Sequence, residues 1–291
     1  MLTPQPREDA VASRRIDVGR LTLNARQAGT GPLVCFMHGI TANASVWDPI
    51  LEALSPMFRV VAIDQRGHGR SDKPAAGYTA ADYAQDVIDL ITTCGEPALL
   101  VGHSLGARNA LTAAAMAPQL VAGVVAIDFT PFIEVEVLDA LETRVRGGDR
   151  VFDSHEEIVG YLTGRYERLP NAAIRRRAAN GYVEIDGALV PLADPTAMVE
   201  TAVGLREDLA PTLRALASPA LLIRGGDSEL VSADAFRKTA ELRPDLQTQI
   251  VPGADHYVPE EAPDAISDAI VRFVLEVGHL PSPATATVIN R

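Results

Sequence analysis

A strand, a sharp turn and a helix follow one another around Ser104, and this junction constrains the fold more than any other part of the sequence. The apolar residues 98–101 lead directly into Gly-His-Ser-Leu-Gly at residues 102–106, and a helical pattern continues over residues 105–117. A serine at such a turn takes a strained backbone conformation, so its neighbours must be small. Its hydroxyl then lies at a helix N-terminus, where partial positive charge favours a developing negative charge. The junction predicts a nucleophilic serine at the edge of a sheet.

Apolar runs of strand length alternate with helical patterns on both sides of this junction. After a hairpin over residues 15–27, strands are predicted at residues 33–37, 59–63, 98–101, 121–127, 220–223 and 247–251. Helical patterns lie between or after them at residues 47–54, 80–91, 105–117, 233–242 and 260–277. Because apolar runs joined through helices are typical of strands buried on both faces, the sequence predicts an α/β fold. Its eight-stranded sheet should be mostly parallel, with helices on both faces.

Residues 131–207 interrupt this alternation. Strand patterns nearly vanish there, and helical patterns predominate at residues 134–146, 155–166 and 171–179. We therefore predict one core domain formed by residues 1–130 and 208–291, with residues 131–207 inserted as a helical lid. This insertion is called the lid segment below.

Charge and hydropathy exclude several classes of partner. The 291 residues include 26 basic and 38 acidic side chains, a net charge of −12. Nucleic-acid binding needs surplus cations to neutralise phosphates, so we expect no nucleic-acid partner. No apolar stretch reaches the roughly 18 residues of a membrane helix, and the N-terminal residues lack the apolar run of a secretory signal. We expect a cytoplasmic protein with no membrane partner.

The side chains that bind metals are sparse. Cys35 and Cys94 are too few for a disulfide framework or a thiolate-built metal site. No His, Asp or Glu cluster has the spacing of metal ligands. We expect no metal and no other cofactor.

His256 is the predicted partner of Ser104. A serine nucleophile needs a base within hydrogen-bond reach, and His256 lies in the loop between the last predicted strand and the last helix. Since that loop leaves the carboxyl edge of the sheet, it should meet Ser104. The two histidines beside the motifs, His38 and His103, are predicted to orient the backbone instead.

Two sites compete for the acid that orients His256. Asp128 ends the apolar run at residues 121–127, whereas Glu229 follows the run at residues 220–223. Both should lie at the carboxyl edge of the sheet. We favour Asp128, because the shorter side chain holds an imidazole with less freedom.

Two backbone amides are candidates for an oxyanion hole. In this architecture one N–H comes from the residue after the nucleophile, here Leu105, and another from the loop after the third strand, here Ile40. The side chains of these two residues are not needed for that role.

Four segments resemble the α/β-hydrolase superfamily and occur in its order. They are HGITANASVWDPI, DQRGHGRSD, VGHSLGARNA and PGADHYVPEEAPDAI, and the resemblance extends over roughly residues 15–278. It implies an α/β-hydrolase fold and Ser-His-acid chemistry. Glu229 stands where most members have an aspartate, which strengthens the case for Asp128.

Within the superfamily, the chain resembles the amide hydrolases of pyridoxine (vitamin B6) breakdown. The elbow at Ser104, the acid Asp128 and the arginines of the lid segment carry this narrower resemblance. Their substrate is a dicarboxylate bearing an acetamido group, and the products are acetate, ammonia, carbon dioxide and succinic semialdehyde. The resemblance therefore implies a small anionic substrate and hydrolysis of a linear amide.

Arginines of the lid segment also favour an anionic substrate on chemical grounds. Arg144 and Arg165 are predicted to bind carboxylates with Tyr166, because a guanidinium can hold a carboxylate with two parallel hydrogen bonds. Arg146 and Arg168 lie in the same segment, and the run at residues 175–177 is predicted to be solvated. Many of these arginines could instead pair with the acids of the segment at the surface.

Three other functions remain open at this point. The same triad serves a carboxylesterase or a carbon–carbon bond hydrolase acting on a ring-cleavage product. A small-molecule receptor on a hydrolase scaffold is the alternative of another class. The sequence makes no prediction of the oligomeric state.

Overall fold

The computed structural model describes residues 11–148 and 150–278, and an eight-stranded sheet runs through them. In chain order the strands are β1 (Ala12–Asp17), β2 (Thr22–Ala28), β3 (Leu33–Met37), β4 (Arg59–Ile63), β5 (Ala98–His103), β6 (Val121–Ile127), β7 (Tyr182–Ile185), β8 (Ala188–Pro191), β9 (Ala220–Gly225) and β10 (Gln247–Val251). The sheet has the order β1-β2-β4-β3-β5-β6-β9-β10, and β7 pairs with β8 separately.

The sheet is mostly parallel, as predicted. Only β1 with β2 and β2 with β4 pair antiparallel among its neighbours. From β4 through β10 every neighbouring pair is parallel. The segments after β5, β6, β9 and β10 therefore leave the same edge of the sheet, where ligands bind in open α/β sheets. The predicted α/β-hydrolase fold is confirmed.

Helices cover both faces of this sheet. They are α1 (Asp48–Leu54), α2 (Ala80–Cys94), α3 (Leu105–Met116), α4 (Val135–Arg146), α5 (His155–Arg165), α6 (Asn171–Asn180), α7 (Pro195–Gly204), α8 (Ala210–Ala215), α9 (Ala233–Leu242), α10 (Val258–Glu261) and α11 (Pro263–Val277). Side chains alternate along β3, so Cys35 packs with α2 and α3, and Phe36 packs with α1 and α11. Two buried faces explain why the strands read as unbroken apolar runs. No helix in the described ranges is long and apolar enough to cross a membrane.

The lid segment packs on the helix that follows Ser104. Val145 and Met198, from α4 and α7, share an apolar cluster with Leu105 and Tyr83 of the core. A second cluster joins α5 and α6 to the β7–β8 hairpin through Leu162, Ile174 and Leu189. These contacts hold the lid segment above the carboxyl edge of the sheet.

The β7–β8 hairpin is a correction to the prediction, which placed almost no strand in the lid segment. Its strands have four residues each, and Asp186 and Gly187 form the connection with φ values of 50° and 83°. Asp-Gly is a strong signal for a two-residue hairpin turn, since both central residues need positive φ. The hairpin was missed because its four-residue strands are too short to give a clear strand pattern in the sequence.

The helix predicted over residues 260–277 is also wrong in one respect. The structure has a four-residue helix α10 and a separate α11, with Ala262 at φ −138° and ψ 59° between them. Pro263 causes the break, because a proline disfavours helical dihedrals at the residue before it.

Candidate active site

Ser104 lies at the strained turn that the sequence predicts. Its φ is 53° and its ψ is −115°, and its amide donates a hydrogen bond to the Ile127 carbonyl at 2.9 Å. A Cβ at Gly102 would lie 2.2 Å from the Gly106 carbonyl oxygen, and one at Gly106 would lie 2.1 Å from the Met37 oxygen. Both glycines are therefore required by close backbone contacts, and they allow the turn that presents the Ser104 hydroxyl.

Asp128 and His256 are in direct contact. The His256 Nδ1–H donates to Asp128 Oδ2 at 2.7 Å. The same oxygen accepts from the Ser228 hydroxyl at 2.6 Å, and Oδ1 accepts from the Gly225 amide at 2.8 Å. Asp128 is fully buried, so these donors satisfy its carboxylate in the absence of water. The contact fixes the imidazole tautomer and leaves Nε2 to accept a proton.

Glu229 takes a different position. It is exposed and lies on the rim of the cavity that contains Ser104 and His256. Within the described ranges it makes no hydrogen bond to His256. The structure thus brings Asp128, and not Glu229, to the imidazole.

Ser104 and His256 line one cavity of about 430 Å³ beneath the lid segment. The described residues form no hydrogen bond between the Ser104 hydroxyl and the imidazole. Such bonds are often long in enzymes without substrate and tighten when substrate binds. The His256 side chain is 13% exposed, so a substrate can reach it from the cavity.

His103 packs against the loop that contains His256. Its ring centroid lies 4.7 Å from that of His256, and its Nε2–H donates to the His256 carbonyl at 2.7 Å. Burial lowers the pKa of His103 well below its ordinary value, and the nearby His256 lowers it further. His103 is therefore neutral and adds no charge beside His256.

The Ile40 amide is oriented by a buried hydrogen-bond network. The Gln65 N–H donates to His38 Nε2 at 3.1 Å, so His38 Nδ1 carries the proton and donates to the Gly39 carbonyl at 2.7 Å. That carbonyl and the Ile40 N–H belong to one trans peptide, so the N–H points away from His38. Neither the Ile40 nor the Leu105 amide donates to another group in the described part of the chain. Both can therefore donate to an oxyanion.

Arg144, Arg165 and Tyr166 all line the cavity. Arg144 Nη2 donates to the Arg165 carbonyl at 3.0 Å, and Arg165 Nη2 donates to the Arg144 carbonyl at 3.1 Å. Arg165 Nη1 also donates to the Tyr161 hydroxyl at 3.0 Å. Neither guanidinium forms an ion pair with a carboxylate of the described residues. Both guanidinium groups are therefore available to bind an anion in the cavity.

Arg177 corrects the prediction that residues 175–177 are solvated. Its side chain is buried and forms an ion pair with Glu260, with Nε 2.9 Å from Oε1. The guanidinium also lies over two tyrosine rings, 4.6 Å from the Tyr166 centroid and 5.1 Å from that of Tyr257. Arg177 thus belongs to the cavity wall, and sequence reasoning missed it.

A signal for Arg177 existed in the spacing of α6. Ala173, Ile174 and Ala178 are buried on one face of this helix, and Arg177 falls on the same face. The prediction that residues 175–177 are solvated was based only on their being three consecutive charged residues. Helical periodicity separates Arg177 from the exposed Arg175.

Tyr166 is surrounded by three cations. Burial alone raises the pKa of its hydroxyl, but Arg177, Arg165 and Arg144 outweigh this effect and lower the pKa below its ordinary value. A phenol made more acidic in this way is a stronger hydrogen-bond donor. Tyr166 can therefore donate to a carboxylate at the cationic end of the cavity.

Two other arginines of the lid segment face solvent. Arg146 pairs with Glu142 on α4, and Arg168 pairs with Asp227 at 2.8 Å. Neither lines the cavity. Within residues 11–148 and 150–278, no three His, Cys, Asp or Glu side chains are grouped to hold a metal ion.

Comparison with known proteins gives a consistent match. Residues 33–269 match the model of the alpha/beta hydrolase family. A 2-(acetamidomethylene)succinate hydrolase of Mesorhizobium japonicum is 54% identical over 267 residues, which cover 91% of this chain and 96% of that protein. An esterase of Mycobacterium tuberculosis is 28% identical, over 90% of this chain and 88% of its own length.

Solved structures agree with the sequence matches. The crystal structure of E-2-(acetamidomethylene)succinate hydrolase superposes with a TM-score of 0.89 at 54% identity, covering 91% of this chain and 99% of that chain. The similarity to that hydrolase, which the narrower resemblance implied, is confirmed.

Proposed function

The chain belongs to the alpha/beta hydrolase family, and on that premise we propose that it is a serine hydrolase of 2-(acetamidomethylene)succinate. The main support is the cavity itself, which is lined by Ser104, His256 and two guanidinium groups, those of Arg144 and Arg165, that form no ion pair with a described residue. A relative that is 54% identical acts on this compound by name. The reaction breaks the amide C–N bond and belongs to vitamin B6 degradation.

The proposed nucleophile is the Ser104 hydroxyl. It attacks the acetyl carbonyl carbon while His256 Nε2 takes its proton. Asp128 holds the imidazole through Nδ1 and stabilises the imidazolium that forms. The Ser104–His256 hydrogen bond must form when substrate binds, and both side chains already line the same cavity.

The negative charge of the tetrahedral intermediate is stabilised by two amides. Ile40 and Leu105 donate to the oxyanion, and the second amide also lies at the N-terminus of α3. Because His38 fixes the Gly39–Ile40 peptide before substrate arrives, little reorganisation is needed during the reaction.

Departure of the amine and hydrolysis of the acetyl-enzyme complete the cycle. His256 returns its proton to the leaving nitrogen, and the enamine departs with the two carboxylates. A water molecule then hydrolyses the acetyl ester of Ser104 and releases acetate. A second water molecule hydrolyses the enamine to ammonia and an aldehyde dicarboxylate, which loses carbon dioxide to give succinic semialdehyde.

The charges around Tyr166 favour a dianionic substrate. Glu260 compensates the charge of Arg177, whereas Arg144 and Arg165 have no ion-pair partner among the described residues and supply two positive charges on this side of the cavity. Two carboxylates match that charge, and Tyr166 supplies a further hydrogen-bond donor. Desolvated contacts of this kind also offset the net charge of −12, which repels a dianion at long range.

Hydrolysis of the dicarboxylate and of its neutral dimethyl ester tests this function. Acetate release from each compound is measured over many turnovers, and we expect a clear preference for the dicarboxylate. Preference for the neutral diester would overturn the assignment and leave an esterase, a function that the 28% identical relative has by name. Binding without multiple turnover would point to a receptor.

A further inference from the structure

We propose that the enzyme also hydrolyses amides of the same dicarboxylate whose acyl group is longer than acetyl. The inference rests on the proposed function for the dicarboxylate and extends it on the acyl side. It comes from the two unlike ends of the cavity, one lined by arginines, the other by apolar side chains with exposed carboxylates at the rim.

One face of α4 forms the roof of the cavity. Val137, Ala140, Leu141, Arg144 and Val145 all line it, at the three- and four-residue spacing of one helix face. From position 137 to position 145 this roof is about 12 Å long, at 1.5 Å per residue. The cavity is therefore elongated along the helix.

The two ends of α4 are held at opposite ends of the cavity. Glu134, just before the helix, accepts a hydrogen bond from the Ser232 hydroxyl at 2.6 Å, which holds this end beside the loop after β9. At the other end Arg144 donates to the Arg165 carbonyl and lies 5.0 Å from the Tyr166 ring centroid. We call the side of the cavity beside the loop after β9 the loop end, and the side beside Arg144 and Arg165 the arginine end. They lie at opposite ends of α4.

His256 lies between these ends. Through Asp128 it connects to Ser228 of the loop after β9. The next residue, Tyr257, packs edge-on against Tyr166 at 5.1 Å between ring centroids, at the arginine end. A dicarboxylate held at the arginine end and attacked beside His256 therefore directs its acyl group toward the loop end.

The loop end combines apolar side chains with an exposed rim. Val137, Ala140 and Leu230 line it, and the exposed carboxylates of Glu136 and Glu229 lie on the same stretch of the wall. The cavity of about 430 Å³ is within the ~300–1,000 Å³ of sites for larger ligands. An acetyl methyl leaves most of this end empty, whereas a longer alkyl chain would cover apolar side chains there.

The chemistry is unchanged for a longer acyl group. The acyl C–N bond breaks and an ester forms at Ser104, while the nitrogen leaves with the proton carried by His256. Water then cleaves the ester to the free carboxylic acid and restores the serine. Only the length of the released acid differs, and no additional reactant is required.

A homologous series of substrates tests the proposal. The acetyl, propionyl, butyryl and hexanoyl amides of the same aminomethylene dicarboxylate are compared by kcat/KM in the wild-type enzyme. We expect propionyl and butyryl to be hydrolysed at least as well as acetyl, with a gain of up to about fourfold per methylene that reaches the apolar wall. A fall of more than tenfold from acetyl to propionyl would overturn the proposal. If the acetyl compound itself is not hydrolysed, the proposed function fails instead.

Filling the loop end gives a second readout. Ala140→Leu should lower the butyryl-to-acetyl ratio of kcat/KM by about tenfold or more, since an added side chain occupies the space of the acyl chain. Ala172→Leu makes the same change at an exposed position of α6 that does not line the cavity, and it should leave that ratio unaltered. An unaltered ratio in Ala140→Leu would place the acyl group elsewhere and contradict the proposal.

The carboxylates at the rim of the loop end should distinguish charged from uncharged acyl groups. An acyl group that ends in its own carboxylate would rest near Glu136 and Glu229, so we expect the wild-type enzyme to hydrolyse the succinyl amide poorly. Glu229→Gln should raise the succinyl-to-butyryl ratio by several-fold. A ratio that does not rise, or a loss of all activity in this variant, would contradict the assignment of the loop end.

Discussion

The guanidinium of Arg177 forms a buried ion pair with Glu260, which lies four residues beyond His256. The pair joins α6 of the lid segment to α10, the short helix that follows His256. It also places a compensated cation against the Tyr166 ring. The lid segment and the His256 loop are thus connected through one buried contact between opposite charges.

Arg177→Met should destabilise the protein strongly. It leaves the Glu260 carboxylate buried without its partner, a change that costs about 3–5 kcal/mol. Thermal and urea unfolding measure this loss. Arg175→Met removes an exposed arginine two residues away and should change stability by no more than about 0.5 kcal/mol. Equal effects of the two variants would show that the buried pair contributes nothing particular.

Ser104→Ala should lower kcat by several orders of magnitude and leave the fold intact. Alanine is small enough for the turn between Gly102 and Gly106. Circular dichroism checks the fold, and acetate release checks the activity. Turnover close to that of the wild type would remove Ser104 from the mechanism.

Asp128→Asn should cost far more activity than Glu229→Gln. We expect a loss of roughly 10³–10⁴ in kcat for Asp128→Asn, because an amide no longer fixes the imidazole tautomer or stabilises the imidazolium. The two variants are compared under saturating substrate at one pH. The opposite order would assign the acid to Glu229.

Arg144→Ala and Arg165→Ala should each weaken kcat/KM for the dicarboxylate by roughly 30- to 150-fold, which corresponds to about 2–3 kcal/mol per desolvated bidentate contact. Hydrolysis of a neutral test ester should change little. Because the two arginines also connect α4 and α5, thermal unfolding must be measured in parallel. Arg146→Ala, on the exposed side of α4, serves as the control. Equal losses with both substrates would indicate a damaged lid segment instead of a lost carboxylate site.

Acidification should unfold the protein through its buried histidines. Burial lowers the pKa of His38 from 6.5 to about 4 and is also the main cause that lowers the pKa of His68 to about 3. The unfolded chain therefore binds more protons as the pH falls below about 6.5, so stability decreases toward pH 4. For His38 alone the loss is on the order of 3 kcal/mol.

Urea unfolding between pH 7 and pH 4 tests this dependence. A His68→Phe variant should have a shallower decline of stability with pH than the wild type, since one proton-binding group is removed. His155→Gln replaces an exposed histidine and should leave the slope unaltered. A wild-type stability that is flat over this interval would contradict the prediction.

The parts of the site with strong local rules could be predicted from the sequence. Ser104 is predicted from a strand, two glycines and a helix. The carboxyl edge of a parallel sheet predicts His256 and two candidate acids, and only side-chain length and the superfamily resemblance favour Asp128 over Glu229. Local rules do not predict contacts between side chains that are far apart in the sequence. Arg177 finds Glu260 at a separation of 83 residues, so a run of three arginines is read as solvated unless its periodicity is considered. The Ser228 and Gly225 contacts of Asp128 depend on the same long-range packing.

Reciprocal hydrogen bonds between Arg144 and Arg165 have a consequence for affinity. A free arginine side chain loses up to about 2 kcal/mol of rotamer entropy when a ligand immobilises it. Here each guanidinium is already restrained by the backbone carbonyl of the other residue, so much of that entropy is lost when the chain folds and not when a carboxylate binds. The N–H groups of Arg144 and Arg165 that do not donate to these carbonyls are then held in nearly fixed positions, from which they can donate to an anion.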